Sequence, residues 1–184
     1  LVGRRLSRHL TISARGLCCA DMDALPHLVP MSERYATLPI EAAFNWQEAT
    51  TGLGDGEWYL VDFRSIRRSD ADEARLTAFD DLAHAEAAAS PGFVHYFKGP
   101  AAADRSCLSF CLWQSRTDAR AAAGKPAHVR AVSLIAEMYE SYTLEFHSLR
   151  RTDGGPLTFA PYGAVVPHAV LVEPLAPAPL PAAG

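Results

Sequence analysis

The sequence lacks the features that identify several large classes of protein. It carries no excess of positive charge, because 17 Lys and Arg against 21 Asp and Glu give a net charge of −4. A domain that binds nucleic-acid phosphates usually has a clear basic excess. The sequence also has no apolar run near the roughly 20 residues that are needed to cross a bilayer. We therefore expect neither a nucleic-acid partner nor a membrane span.

Cysteine is scarce, and the four cysteines are Cys18, Cys19, Cys107 and Cys111. No further Cys or His lies near them at the spacing of zinc ligands. Cys107 and Cys111 fall too far apart along one predicted strand for an unstrained disulfide, so we interpret them as small buried apolar residues. This usage is typical of a reducing compartment. We expect a cytoplasmic protein with no metal site and no cofactor.

The 184 residues, 49% of them hydrophobic, suffice for one globular domain with additional length. Residues 1–34 are interpreted as a disordered Arg-rich extension, with an Arg-rich targeting sequence as the alternative. Residues 35–56 are an irregular lead-in, and residues 57–150 hold the regular patterns. Residues 151–184 form a Pro-rich tail that is expected to be disordered, with one short edge strand at 169–172 as the alternative for that stretch.

The regular part alternates between strand and helix signals. A capping box at Asp70 and Glu73 marks the start of the first helix, and Pro126 marks the start of the last one. The apolar spacing of that last helix continues as far as Tyr142. In chain order the segments are a strand at 57–67, a helix at 70–90, strands at 93–98 and 107–113, helices at 115–123 and 126–142, and a strand at 143–149. This β-α-β-β-α-β order predicts an α+β fold of the ferredoxin-like type.

Three glycines, Gly52, Gly54 and Gly56, precede the first strand. A phosphate-binding loop needs a strand before the glycines and a helix after them, whereas a strand follows here. We therefore interpret the glycines as a flexible turn.

Alternation along the strands predicts which side chains share a face. Tyr59, Val61 and Phe63 form one apolar line, and Leu108, Phe110 and Leu112 form another. The opposite lines are mixed, with Trp58, Asp62 and Arg64 on the first strand and with Cys107, Ser109, Cys111 and Trp113 on the third. A sheet with one apolar and one mixed face requires a second cover, and we expect a partner subunit to supply it.

A resemblance to a known family adds to this pattern. The following residues resemble the antibiotic-biosynthesis-monooxygenase-like members of the dimeric α+β barrel superfamily: Trp113, Ser115, Asp118, Ala119, Pro126, His128, Ala131, Tyr139 and Phe146. The match covers about residues 57–150. It implies a homodimer in which two four-stranded sheets pack face to face, with a pocket between each sheet and its helices. Residues 93–145 also resemble an uncharacterised family that supplies no reaction.

The activities that the resemblance implies range from cofactor-free oxygenation of aromatic substrates to none. Haem degradation in this superfamily uses an Asn on the first strand and a Trp on the helical segment. The first strand has Asp62 and Phe63 instead, and no Trp lies between Asp118 and Ala127. Haem degradation is therefore unsupported.

Two histidines are the candidate catalytic residues. His128 lies at the edge of the apolar face of the last helix, where a near-neutral imidazole could take a proton from a phenol-like substrate. The alternative is a half-buried capping histidine. His95 projects from an aromatic strand face and is either a polarising partner or a packed core histidine.

Four further residues are candidate substrate contacts. Trp113 and Tyr96 would form a stacking wall for a flat ligand, with core packing as the alternative. Tyr139 is predicted to line up with His128, and Arg64 is a candidate polar contact.

Asp62, Arg64, Glu145 and His147 form a charged group on the first and last strands. We interpret it as a surface or interface ion-pair network, and we expect the first strand to lie beside the third but not beside the fourth.

Two hypotheses follow. The first is a homodimeric α+β barrel that binds an apolar or aromatic, polyketide-like small molecule and oxygenates it without a cofactor. The second is a non-catalytic dimeric binding or scaffold protein in which the same residues form the core and the interface.

Overall fold

A computed structural model of the protein describes residues 24–167. Residues 1–23 of the expected extension, with Cys18 and Cys19, lie outside this range, and so does the alternative edge strand at 169–172. The strands are β1 (Gly56–Arg67), β2 (Phe93–Phe97), β3 (Ser106–Trp113), β4 (Tyr139–Arg151), β5 (Thr158–Pro161) and β6 (Val166–Pro167). The helices are α1 (Ile40–Ala43), α2 (Trp46–Ala49), α3 (Glu73–Ala88), α4 (Arg116–Ala123), α5 (Pro126–Ser133) and α6 (Ile135–Met138). Two 3-10 turns lie at Tyr35–Thr37 and Thr51–Leu53.

The strands form one antiparallel sheet in the order β2-β3-β1-β4-β5, with β6 paired to β4. Its first four strands follow the ferredoxin-like order, so the predicted α+β fold is confirmed. β1 is central and pairs with β4 from Gly56 opposite Arg151 to Arg67 opposite Tyr139. The expectation that the first and fourth strands are not neighbours is therefore wrong, because β1 borders both β3 and β4.

The helices α3, α4 and α5 begin close to the predicted positions. Local capping residues explain at which residue each of them starts. α3 is capped by Asp72, which accepts a hydrogen bond from the amide of Arg75. The expected cap, Asp70, is instead bound by Arg68 at 3.1 Å. Ser115 caps α4 through the amide of Asp118, and Pro126 opens α5 where its missing N–H is not needed.

The last predicted helix is shorter than expected. It divides into α5 and α6 and ends at Met138, so Tyr139 and Tyr142 lie on β4 rather than on a helix. Pairing with the long central strand β1 supplies a hydrogen-bonding partner as far as Tyr139. Tyrosine and threonine also favour the pleated strand, so the sheet overrides the helical spacing in this stretch.

One face of the sheet packs against the helices. On this helix-covered face, Tyr59 and Trp113 lie buried with Ala87 of α3 and with Ala119 and Ala122 of α4. The small alanines allow the helices to approach the aromatic side chains closely.

The other face packs against residues 24–53, which we call the N-terminal segment. Its buried side chains include Ile40, Phe44 and Trp46, and they contact a cluster that contains Leu108 and Phe110 of β3. Trp46 is 2% exposed, and its indole N–H donates a 2.7 Å hydrogen bond to the carbonyl of Ile40. This segment-covered face therefore receives its second layer from the same chain.

The pairing register explains why both faces are covered. Asp62 lies opposite Phe110, so the mixed line of β1 shares a face with the apolar line of β3. Tyr59 lies opposite Trp113, so the apolar line of β1 shares the other face with the mixed line of β3. Each face is thus partly apolar. The expectation of one apolar and one mixed face is wrong, because it combined the strands in the wrong register.

The flanking regions differ from their predicted boundaries. Residues 24–34 belong to the folded part, since Leu25 is 1% exposed. Residues 158–167 add β5 and β6 to the edge of β4. Within residues 24–167, no helix combines the length and the apolar character that a membrane crossing requires.

Candidate functional site

The sequence-predicted site residues do not meet at one place. His95 and Arg64 lie on the segment-covered face, Trp113 and Tyr96 lie on the helix-covered face, and His128 lies in α5.

His128 is half-buried near the start of α5. Its backbone amide and that of Ala127 donate to one carboxylate oxygen of Glu86 on α3, at 3.2 and 2.9 Å. Burial lowers the pKa of His128 below the usual 6.5, against a smaller opposing effect of the Glu86 charge. The ring is therefore neutral near pH 7, as a base must be, and it sits where two helices pack.

His95 is 6% exposed, and its ring lies 5.9 Å from that of Phe110. Phe110 in turn contacts Trp46 and Phe44 of the N-terminal segment. The ring thus belongs to the aromatic core of the segment-covered face, on the opposite side of the sheet from the helices.

Tyr96 connects β2 to α3. Its hydroxyl donates a 2.6 Å hydrogen bond to Asp80, and its ring lies 4.8 Å from that of His84. Burial, followed by the Asp80 charge, raises the pKa of Tyr96 above the usual 10.0, so the phenol stays protonated.

Trp113 and Tyr139 are packed among aromatic rings. Trp113 is 4% exposed and meets Phe93 edge to face at 5.4 Å. Tyr139 lies 5.1 Å from Tyr142, and burial raises its pKa to about 12. Neither ring lines a cleft described below.

The free cysteines of the sheet lie among these side chains. The thiol of Cys107 donates to the carbonyl of Gly99 at 3.1 Å, and burial raises the pKa of Cys111 above its usual 9.0. A thiol held protonated, as that of Cys111 is, is a poor nucleophile. Cys107 is buried, and Cys111 is half-buried.

A cleft of about 210 Å³ opens at the end of the sheet where β1 begins and β3 ends. We call it the end cleft. Its lining residues are Glu57, Trp58, Tyr59, Gln114, Ser115, Arg116, Ser148 and Tyr162. The guanidinium of Arg116 stands 5.5 Å from the ring centre of Tyr162, and Tyr59 meets that ring edge to face at 5.2 Å.

Two charged side chains, Glu57 and Arg116, line the end cleft. Burial raises the pKa of Tyr59 above 10.0, while the Arg116 guanidinium beside its hydroxyl acts in the opposite direction. Arg116 makes no ion pair with any acidic side chain among residues 24–167. The cleft therefore offers aromatic walls and an arginine that forms no ion pair with any described side chain, and its lining also contains the carboxylate of Glu57, which accepts a 3.1 Å hydrogen bond from the hydroxyl of Ser148.

Sequence reasoning missed the end cleft. The sequence predicts Arg116 only as part of a short helix, and Tyr162 falls in the predicted tail. The separation of 46 positions between them gives no local signal, because only the β4–β5 pairing brings Tyr162 beside β1.

A second cleft, of about 410 Å³, lies between the N-terminal segment and the turn after β4. Its polar side chains make hydrogen bonds between these two parts of the chain. Gln47 bonds both the amide and the carbonyl of Leu157, Asp55 accepts from the amide of Gly154, and Arg151 donates to Thr50. The glycine-rich turn lies beside this cleft. We interpret the cleft as the contact between the N-terminal segment and the turn after β4, because its polar side chains bond to the chain itself.

A charged quartet lies on the segment-covered face and consists of Asp62, Arg64, Glu145 and His147. His147 Nε2 is 3.2 Å from Asp62 Oδ2 and 3.9 Å from Glu145 Oε2. Arg64 Nε is 3.0 Å from Glu145 Oε1 and 3.8 Å from Asp62 Oδ1. All four residues come together because β1 and β4 are adjacent, contrary to the expected strand neighbours.

The quartet is largely withdrawn from water. Asp62 is fully buried, and the side chains of His147, Arg64 and Glu145 are 13, 20 and 26% exposed. Burial raises the pKa of Asp62 above 3.8, against the opposing effects of His147 and Arg64. Arg64 also donates a 3.0 Å hydrogen bond to the carbonyl of Ala36, which ties the quartet to the N-terminal segment.

Comparison with known proteins finds a family model, described as PB2B2.08-like, that matches residues 10–160. A search of curated proteins finds no significant match. The similar solved structures include proteins provisionally assigned as antibiotic biosynthesis monooxygenases and one described as a cofactor-independent oxygenase.

Three of these structures illustrate the likeness. SnoaB, a cofactor-independent oxygenase from Streptomyces nogalater, is 17% identical with a TM-score of 0.43, over 53% of this chain and 97% of that one. Rv0793 from Mycobacterium tuberculosis is 21% identical with a TM-score of 0.44, over 52% and 96%. A protein from Nitrosomonas europaea, provisionally assigned as an antibiotic biosynthesis monooxygenase, is 15% identical with a TM-score of 0.42, over 59% and 91%.

Proposed function

The chain belongs to the PB2B2.08-like family, and we propose that it binds a small aromatic molecule with a negatively charged group in the end cleft. The observation that carries the proposal is the position of Arg116, which lies over an aromatic ring with no acidic partner among the described residues.

The walls of the end cleft favour a flat ligand. Tyr59 and Tyr162 stand nearly perpendicular, at 85°, so an aromatic guest can meet the face of one ring and the edge of the other. Such arrangements contribute roughly 0.5–1.5 kcal/mol beyond the area that they bury.

The guanidinium of Arg116 favours an anionic ligand, since Glu57, the acidic residue of the cleft lining, makes no ion pair with it and instead accepts a hydrogen bond from Ser148. A guanidinium binds a carboxylate through two parallel hydrogen bonds, and such bonds are about twice as strong as those between neutral groups. The phenol of Tyr59 is protonated near pH 7 and can donate a further hydrogen bond.

The size of the end cleft limits the ligand. A volume of about 210 Å³ lies below the roughly 300–1,000 Å³ of sites for drug-sized molecules, so one ring with its substituents is the natural occupant.

Cofactor-independent oxygenation is the second candidate, and one observation favours it. His128 has a lowered pKa and is therefore unprotonated near pH 7, as a base that forms a substrate carbanion must be. His128 and His95 do not line the end cleft. We therefore prefer ligand binding in the end cleft to oxygenation as the proposed function. Such binding agrees with the hypothesis of a non-catalytic binding protein.

The homodimer and the cytoplasmic location also remain proposals. Since the N-terminal segment occupies the sheet face that the resemblance assigns to a partner, we propose that a homodimer uses another surface. Native mass spectrometry of the full chain would detect it, and a monomer at micromolar concentration would contradict it.

Binding can be tested with three one-ring probes, namely benzoate, phenol and cyclohexanecarboxylate, titrated into the full chain and followed by NMR line shapes. Benzoate should bind best, with a Kd of about 1 mM, because phenol lacks the carboxylate and cyclohexanecarboxylate lacks the aromatic face. Arg116→Gln should weaken benzoate binding about tenfold, and Tyr162→Ala should weaken it by a factor of several.

Arg130→Gln is the matched control, because Arg130 is an exposed arginine on α5 that does not line the cleft. Equal affinity for all three probes, or equal losses in the Arg116 and Arg130 variants, would contradict the proposal. Oxygen consumption with an aromatic substrate that is abolished by His128→Gln would favour the second candidate instead.

A further inference from the structure

We propose that three members of the charged quartet, namely Asp62, Glu145 and His147, bind a divalent first-row transition-metal ion. Their ligand atoms all lie within 4.8 Å of one another. None of the three residues lines the end cleft, and the site is on the opposite face of the sheet from Tyr59, so it is independent of the proposed function.

The distances within the quartet suit a common ligand. Two protein ligands about 2.1 Å from one ion are about 3.0–3.4 Å apart, depending on the coordination angle. Nε2 of His147 and Oδ2 of Asp62 already lie 3.2 Å apart. Oε2 of Glu145 is 3.9 Å from Nε2, and this partly exposed side chain can close the difference by a small rotation.

The buried atoms of the quartet point to the same conclusion. Both carboxylate oxygens of Asp62 and Nε2 of His147 are withdrawn from water, and none meets the geometry of a hydrogen bond, although Nε2 and Oδ2 face each other at 3.2 Å as an ion pair. Buried polar groups normally make hydrogen bonds, because an unmade one costs about 1–3 kcal/mol. A cation between these atoms would satisfy all three.

Arg64 acts as the positioning residue. It binds Oε1 of Glu145 at 3.0 Å and leaves Oε2 directed toward His147. Its own position is fixed by the carbonyl of Ala36. Outer-shell partners of this kind orient the groups that bind the metal, and their loss commonly costs 10–100-fold in affinity.

The ligand types define the class of ion. One imidazole and two carboxylates suit Mn²⁺, Fe²⁺ or Zn²⁺ rather than a thiolate-preferring ion such as Cu⁺. Mn²⁺ is the useful probe, because it favours oxygen and nitrogen over the thiolates of Cys18, Cys19, Cys107 and Cys111.

The experiment is a titration of the full chain with Mn²⁺, in which the free ion is quantified by electron paramagnetic resonance. We expect one bound ion per chain and, in a pulsed experiment on the wild-type protein, coupling to one imidazole nitrogen. His147→Gln and Glu145→Gln should each weaken binding at least tenfold, and Arg64→Gln should weaken it about tenfold.

His128→Gln is the control, since His128 lies in the helix layer, and it should bind as the wild type does. Circular dichroism would verify that each variant is folded, and the nitrogen coupling tests the site without any variant. No saturable binding below about 1 mM Mn²⁺, no nitrogen coupling, or unchanged affinity in both the His147 and Glu145 variants would overturn the proposal. Tighter binding after Arg64→Gln would overturn the positioning role.

Discussion

The two faces of the sheet are covered in different ways and contain different chemistry. The helix-covered face is closed by residues that the fold itself requires, and it buries tyrosines, thiols and Trp113. The segment-covered face is closed by residues 24–53, which precede the ferredoxin-like unit, and it buries the charged quartet beside an aromatic core. Charges become buried where an added segment, rather than a helix of the basic fold, excludes water.

Replacing one tryptophan on each face tests most directly whether the two covering layers contribute equally to stability. Trp46→Ala and Trp113→Ala should each lower the free energy of unfolding by about 3–5 kcal/mol, because each empties a buried aromatic site. Urea denaturation would measure both losses. If Trp46→Ala lowers the free energy of unfolding by less than about 1 kcal/mol while Trp113→Ala has the expected effect, the N-terminal segment contributes less to stability than the helix layer does.

Two glycines provide a second comparison. A Cβ at Gly99 would overlap the carbonyl oxygen of Leu108, and a Cβ at Gly92 would overlap the carboxylate of Asp118. Gly92 also has a φ of +75°, which other residues adopt only with strain. Gly99→Ala and Gly92→Ala should each cost about 1–3 kcal/mol in thermal or urea unfolding.

Gly52→Ala is the control for these substitutions, because a Cβ at Gly52 would meet no atom within 4 Å and the φ of this residue is ordinary. If it destabilises the protein as much as Gly99→Ala does, steric overlap is not the cause.

Tyr96→Phe tests the polar tie between β2 and α3. The change removes the 2.6 Å hydrogen bond to Asp80 and leaves the ring in place. We expect a loss of about 1–2 kcal/mol, since Oδ1 of Asp80 loses the donor that Tyr96 supplies. A variant as stable as the wild type, measured by urea denaturation, would show that Lys98, 2.9 Å from Asp80, compensates fully.

The pH dependence of His128 is the smallest predicted effect. Because its folded-state pKa lies below 6.5, the unfolded chain binds the proton more tightly. Its contribution to stability is therefore complete above pH 6.5 and is lost as the pH falls from 6.5 through the folded-state pKa. His128→Gln should reduce the slope of unfolding free energy against pH below about 6.5, and an unchanged slope would contradict the assignment.

The sequence predicted the elements better than the relations between them. Capping residues such as Ser115 and Pro126 act locally, so the starts of α4 and α5 were predictable. The burial of Asp62 beside His147 depends on which strands are neighbours, and alternation within one strand does not specify that. The end cleft depends on Tyr162, which reaches Arg116 only through the pairing of a strand within a Pro-rich stretch.

The claim on which the comparison depends is that the N-terminal segment is a full second layer of the sheet. Hydrogen–deuterium exchange of the full chain, followed peptide by peptide, tests it most directly. The account predicts that amides of residues 40–50, whose helical turns bury Trp46 and Ile40, exchange as slowly as those of β3. Complete exchange of residues 40–50 within seconds, beside a protected β3, would contradict it.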